Sequence, residues 1–355
     1  RSTPLYSSAA SDVYKRQVLV LVSRLLGREN GHKETMSEIP QTAQPRQEEL
    51  SYDLKRALSA IVSVRTQIPE TAMTARILGT EREGHGVLIR ENGLIVTIGY
   101  LVTEAETIWL IDNKGGATNG HTVAYDQETG FGLIQALGRL NLSTLELGSS
   151  ADVNEGESVV LAGHGGRENA ISARVQAKRE FAGYWEYLLN EAIFTAPPHP
   201  SWSGAGLIGH DGTLRGIGSL FVQQVISGGD SLNCNMVVPI DILKPIMDEL
   251  LTYGRTQKPA RPWLGMMTTE MDDVLVVAGV TEGGPAQRAD VRVGDFILSV
   301  GGQPVKELAE MFRRVWATGE AGVGIPLTLS RDGEILDLTV QSVNRSDSLN
   351  SPQLH

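Results

Sequence analysis

Short apolar runs separated by Gly, Asn and Asp dominate this chain and predict strands over most of its length. One helical period precedes them: Leu50, Leu54, Ala57, Leu58 and Ile61 share a face and predict a helix over 50–61. Val87-Leu88-Ile89 and Leu94-Ile95-Val96 then flank Arg90-Glu91-Asn92-Gly93, whose Asn-Gly pair predicts a hairpin. Ile108-Trp109-Leu110-Ile111, Gly132-Leu133-Ile134, Val159-Val160-Leu161-Ala162 and Leu214-Arg215-Gly216-Ile217-Gly218 are further strand-like runs. With no long helices between them, they predict a sandwich or barrel and not a doubly wound sheet.

A helical segment follows over 240–253, with Ile240, Leu243, Met247, Leu250 and Leu251 on one face. Pro245 fits only if the helix begins near it, and Gly254 ends it. Lys258-Pro259-Ala260-Arg261-Pro262 reads as a linker. Beyond it, strands are expected near 263–267, 274–279, 295–300, 325–330 and 335–340. They enclose an amphipathic helix carrying Leu308, Met311, Phe312, Val315 and Trp316. The domain plan is therefore an N-terminal segment and linker over 1–47, a first domain over 48–255, a linker over 256–262, a second domain over 263–343 and a frayed tail over 344–355. Residues 1–17 show no periodicity and are read as non-native. The apolar run from Val18 to Leu26 reads equally as a signal-peptide stump, a short helix or a mistranslated junction, with Met36 an alternative start.

Composition narrows the class. Glycine makes up 39 of 355 residues, above the usual ~7%, which suits a turn-rich β protein. The net charge of −11 argues against a nucleic-acid binder that works by counterion release. A single cysteine, Cys234, excludes an internal disulfide framework and a cysteine-built zinc site. No apolar run reaches the ~18 residues that span a bilayer. The histidines lack metal-ligand spacing such as H-E-x-x-H, so neither a metal nor another cofactor is expected.

The order of motifs resembles the HtrA/DegP family, a mainly β architecture with a trypsin-like double β-barrel followed by a PDZ domain, over about residues 60–343. Gly84-His85-Gly86-Val87-Leu88-Ile89 through Gly93 and Thr97 is similar to the family's G-S-G-V-I-I…G-x-I-L-T-N-x-H-V-V. Asp126-Gln127-Glu128-Thr129-Gly130-Phe131-Gly132-Leu133 resembles D-x-x-T-D-L-A-V, and Leu147-Gly148-Ser149-Ser150 with Val153 to Val160 resembles L-G-D-S and V-G-E-x-V-V. Pro200-Ser201-Trp202-Ser203-Gly204 stands where the family has P-G-N-S-G.

The resemblance implies a serine endopeptidase, and two of its three catalytic positions are altered. Tyr100 stands where the family has its histidine base, and Gly130 where it has the orienting aspartate; only the nucleophile, Ser203, remains. A serine hydroxyl needs a base to take its proton, and a phenol with a pKa near 10 is a poor one at neutral pH. The oxyanion hole, which the resemblance places at the backbone of Ser201 and Ser203, has lost the glycine that precedes the nucleophile by two residues. A proteolytically inactive homologue is expected. The alternative is an active endopeptidase in which His199 or His164 replaces the base; His85, His121 and His210 lie in turn-like contexts. A third reading is a structural subunit that assembles with active relatives. The aromatic segment Phe181 to Leu189 reads as core packing, a plug over the former cleft or an oligomer contact.

The C-terminal unit keeps the family's peptide-binding features. Trp263-Leu264-Gly265-Met266 is similar to the loop whose successive N–H groups capture a terminal carboxylate, and Met311 and Val315 are the expected pocket residues on the helix over 306–318. Pro285-Ala286, Val293-Gly294-Asp295-Phe296-Ile297 and Gly302-Gln303-Pro304-Val305 match the family's turn and packing framework. The resemblance implies C-termini of peptides or unfolded proteins as partners, an adaptor, chaperone-like or regulatory role in protein quality control, a possible homotrimer, and a periplasmic or other extracytoplasmic location.

Overall fold

The structure, a computed structural model, describes residues 38–225, 231–271 and 273–350. The readings of 1–17, the apolar run to Leu26 and Met36 lie outside the described residues. The described residues divide into two compact units, one within 38–180, 190–257 and 349–350, the other within 181–189 and 258–348.

The first unit holds two six-stranded closed barrels. The first runs β1 (Ile61–Gln67), β2 (Glu81–Leu88), β3 (Leu94–Ile98), β4 (Thr107–Ile111), β5 (Ala117–Tyr125) and β6 (Phe131–Ala136), closing in the order β1-β2-β3-β6-β5-β4. The second runs β7 (Ser158–Ala162), β8 (Ala170–Gly183), β9 (Tyr187–Ala196), β10 (Gly206–Ile208), β11 (Leu214–Val225) and β12 (Ser231–Pro239), closing as β10-β11-β12-β9-β8-β7. The Asn-Gly hairpin forms as expected: Gly93 adopts φ +90° and its N–H returns to the Arg90 carbonyl.

Three local readings are corrected. The helix over 50–61 shrinks to α1 (Leu54–Ser59), because Asp53 caps it by accepting from the Arg56 N–H and Ile61 already begins β1. Residues 38–47 are not simply a linker: Ile39 is buried in the core of the second barrel beside Val159, Leu161 and Ile171. The segment 240–253 breaks into two 3₁₀ turns and α3 (Met247–Tyr253), since Pro245 prevents one continuous helix. A short helix, α2 (Ala75–Leu78), was not foreseen.

The second unit is a sheet of β13 (Met266–Met271), β14 (Val274–Val280), β15 (Phe296–Val300), β17 (Gly324–Arg331) and β18 (Glu334–Gln341), with β16 (Gln303–Pro304) paired to β15. Two helices accompany it, α4 (Pro285–Arg288) and α5 (Leu308–Ala317). The predicted apolar face of α5 supplies the core: Leu308, Met311, Phe312 and Val315 pack with Leu264, Met266 and Ile325. The tail expected to fray from 344 forms a 3₁₀ turn over Arg345–Ser348, held as the Asp347 N–H reaches the Asn344 carbonyl. Among the described residues no helix is long and apolar enough to cross a membrane.

Candidate functional site

The positions read as a degenerate triad meet in the first unit. Tyr100 lies on a 3₁₀ turn after β3, and Gly130 immediately precedes β6, the strand paired to β3. The Gly99 N–H donates to the Gly130 carbonyl (2.7 Å), which ties the two positions together. Ser203 lies before β10 on a turn packed against β2: its carbonyl accepts from the His85 N–H (2.8 Å). Gly204 is required there, with φ +78° and a hypothetical Cβ only 1.9 Å from the His85 carbonyl oxygen.

The Tyr100 Oη stands 2.7 Å from Ser203 Oγ and 2.8 Å from the Ser219 carbonyl oxygen. The ladder between β11 and β12 skips Ser219, and this bulge coincides with the carbonyl that meets the phenol. A carbonyl only accepts, so Tyr100 gives its one proton to Ser219, and the Ser203 hydroxyl is left to donate to the phenol oxygen. Burial raises the phenol pKa further above its ordinary value, while the bond from Ser203 only partly opposes this. A neutral phenol cannot serve as the base that Ser203 needs.

Arg82 fixes the turn that carries Tyr100. Its buried guanidinium donates to the carbonyls of Tyr100 (2.6 Å) and Thr103 (3.1 Å) and to Thr74 Oγ1 (2.8 Å). Burial lowers the Arg82 pKa to about 10, against the nearby negative charge of Glu104. Glu104 itself accepts from Thr74 Oγ1 and from the N–H groups of Met73, Thr74 and Asn350. Sequence reasoning missed this network, since Glu104 and Arg82 belong to no motif.

Of the two expected replacement bases, the His199 imidazole is held at both ring nitrogens, while the buried Nε2 of His164 has no hydrogen-bond partner among the described residues and so makes no hydrogen bond to Ser203 Oγ. His199 is fully buried; its Nδ1 accepts from the Ser201 N–H (2.9 Å) and its Nε2 donates to the Asn169 carbonyl (3.0 Å). Burial lowers its pKa. That contact also turns the Ser201 N–H toward His199, away from the oxyanion role that the resemblance implied. His164 contributes its main-chain N–H to His85 Nδ1 (3.1 Å). Burial first, and then the charges of His199 and His164, push His85 down to about 3, so it is neutral at physiological pH. His210 pairs with Glu157 and His121 lies on β5 opposite Gln135. The carboxylate closest in sequence to Gly130 on its N-terminal side, apart from Glu128, is Asp126, which caps its own turn by accepting from Thr129 N and Oγ1. Trp202 packs its ring on Phe221 at 5.7 Å.

In the second unit, Leu264, Gly265 and Met266 form an anion cradle. The carbonyls of Leu264 and Gly265 are held by the N–H groups of Ala286 and Thr281 (2.8 and 2.7 Å), which leaves three successive N–H groups facing the other way. Gly265 has φ +71° and faces Trp263 and Pro285. Trp263 pairs its main chain with Val343. Glu270 of β13 accepts from the Leu308 N–H (2.7 Å) and so ties β13 to the first turn of α5.

Residues 84–217 match the trypsin-like peptidase domain family, and residues 262–341 match the PDZ domain family. The chain joins a trypsin-like peptidase domain to a PDZ domain. It is 27% identical over 285 residues to a probable periplasmic serine endoprotease DegP-like of Pseudomonas putida (strain W619), covering 75% of this chain and 57% of that protein. It is also 27% identical over 320 residues to the periplasmic pH-dependent serine endoprotease DegQ of Escherichia coli (strain K12), covering 81% of this chain and 68% of that protein. The first of these relatives thus extends well beyond the matched region. The solved HtrA-type protease AlgWS227A with tripeptide aligns at a TM-score of 0.50 and 22% identity, covering 84% of this chain and 97% of that one. The structural likeness shows the same fold.

Within the PDZ domain, the cradle holds a carboxylate from the same chain. Glu186, at the turn between β8 and β9, accepts from the N–H groups of Leu264, Gly265 and Met266 at 2.8 to 3.2 Å. Met311 and Val315, expected as pocket residues, are fully buried in the PDZ core, and Ala182 and Leu188 pack against that core. The aromatic segment 181–189 is therefore part of the PDZ unit, a placement none of its sequence readings included. The density of aromatic residues marked the segment; nothing in the sequence marked its partner loop, some 80 residues away.

Proposed function

We propose that this chain is a proteolytically inactive HtrA-type protein that binds peptides or unfolded protein segments through its PDZ domain, in an adaptor, chaperone-like or regulatory role. The observation that carries this reading is the phenol at the base position. Tyr100 lies 2.7 Å from Ser203 Oγ while its own proton goes to the Ser219 carbonyl. Gly130 offers no carboxylate, the Ser201 N–H is engaged by His199, and among the described residues the hydrogen-bond partner of Ser203 Oγ is a neutral phenol and not a base. The cradle of Leu264, Gly265 and Met266 supports the binding role, as does the tripeptide in the related AlgW structure. The periplasmic names of the relatives support a periplasmic or other extracytoplasmic location.

The test is release of fluorescent fragments from labelled casein by the wild type and by Ser203→Ala. Both are expected to be inert. Cleavage by the wild type that Ser203→Ala abolishes would contradict the inactive reading.

A further inference from the structure

The PDZ cradle is already filled, and its occupant has the chemistry of the ligand such a cradle takes. Glu186 Oε1 accepts from Gly265 N (2.8 Å), Leu264 N (3.2 Å) and Met266 N (3.2 Å), while Oε2 accepts from Leu264 N (3.0 Å). Two residues earlier, the Tyr184 carbonyl accepts from the Thr268 N–H of β13 (2.9 Å). A carboxylate in the loop, with main-chain pairing to the adjoining strand, is the arrangement by which an extended peptide adds to a sheet edge.

The tip is also built to present that carboxylate. Glu186 holds φ +60°, a left-handed conformation uncommon for a residue with a Cβ. Its aromatic neighbours brace the turn: Trp185 stacks on Tyr187 (5.4 Å) and meets Tyr184 edge-on (4.9 Å) and Phe181 at 6.3 Å. Ala182 and Leu188 rest on the core that contains Met311 and Val315. Glu186 itself is 7% exposed. Packing alone does not call for an acidic side chain here, because burying a carboxylate is unfavourable unless donors receive it.

We propose that the tip 181–189 is an internal ligand of the PDZ domain, whose Glu186 carboxylate occupies the place of a peptide's terminal carboxylate, so that an external C-terminus enters only by displacing it. This rests on the peptide-binding reading above and adds its regulation: the groove is kept closed by its own chain and opens in exchange for a competing carboxylate. A tip docked about nine-tenths of the time leaves about one-tenth of the molecules competent and weakens apparent affinity about tenfold.

The test uses the full chain and a fluorescein-labelled decapeptide ending in leucine with a free carboxylate, chosen because Leu188 lies against the same core, together with its amidated twin. Anisotropy titrations are run on the wild type, Glu186→Ala and the shape-conserving Glu186→Gln. Amide hydrogen exchange of segments 183–187 and 263–268 is followed in parallel. Glu186→Ala should bind the free-carboxylate peptide about tenfold more tightly than the wild type, and Glu186→Gln, which keeps an acceptor oxygen but not the charge, should fall between them. Amides in these segments should exchange faster in Glu186→Ala, and the amidated peptide should bind poorly throughout. Equal affinity of wild type and variants, or unprotected 263–268 amides in the wild type, would overturn the internal ligand. Protection lost in Glu186→Ala with no peptide binding by any protein would instead overturn the peptide-binding reading and, with it, the exchange.

Discussion

At Ser203 and at the Leu264–Met266 loop, a side chain of the protein stands where a reaction partner or ligand is expected, but the two sites differ in what lies underneath. At Ser203 the occupant is Tyr100; Gly130 has no side chain, and the His199 imidazole is held by the Ser201 N–H and the Asn169 carbonyl. At the loop the occupant is Glu186, and removing it exposes three N–H donors, while the carbonyls of Leu264 and Gly265 remain anchored to Ala286 and Thr281. Under the proposed function, the first site has lost its chemistry through substitution. The second keeps its three N–H donors, and the proposed exchange swaps one carboxylate for another. Filling a site and disabling it are thus separate events, distinguishable by what the backbone still offers.

The largest effect is expected at Gly204→Ala, which places a Cβ against the His85 carbonyl at a positive φ. A loss of about 3 kcal/mol, read from denaturant midpoints, would show that the serine turn persists as structure. A loss below about 1 kcal/mol would break the claim that this turn is rigidly packed. Arg82→Met removes the donor to the Tyr100 and Thr103 carbonyls and should destabilise by about 2 kcal/mol without creating casein cleavage. Tyr100→Phe deletes the hydroxyl between Ser203 and Ser219 and should cost about 1 kcal/mol, again with no activity gained.

A pH dependence is expected at the second site. Burial raises the Glu186 carboxyl to about 7, against the hydrogen bonds of Leu264, Met266 and Gly265 and the positive charge of Arg345. Its folded value thus lies above the unfolded value near 4.5, so the stability it contributes is fully present below that unfolded value and fades as pH rises through about 7. The wild type should lose stability relative to Glu186→Gln between about pH 5 and about pH 7 and run parallel to it above about pH 8. Parallel curves throughout would contradict the raised carboxyl.

Much of the architecture was legible where the signal was local. The Asn92-Gly93 turn and the apolar face of α5 each satisfy one periodicity over a short stretch and formed where expected. The long strands β8 and β9 were not foreseen, because Arg174, Gln176 and Lys178 to Glu180 in β8, and Asn190 and Glu191 in β9, interrupt the apolar runs that marked the other strands. The helix over 50–61 was overextended because its period runs through Ile61, which belongs to β1. At the candidate sites, motif order led to Tyr100, Gly130 and Ser203, which the fold brings together. The roles of His199 and Glu186 depend on partners distant in sequence, Asn169 and Leu264–Met266, and no local pattern encodes them.

Whether the Ser203 hydroxyl has a base is read most directly from its reactivity toward a fluorophosphonate, which depends on no choice of protein substrate. Labelling of the wild type should be no faster than that of Ser203→Ala and should stay flat from about pH 6 to about pH 9. Ser203-dependent labelling that rises with pH through a single titration would reveal a working base and contradict the account.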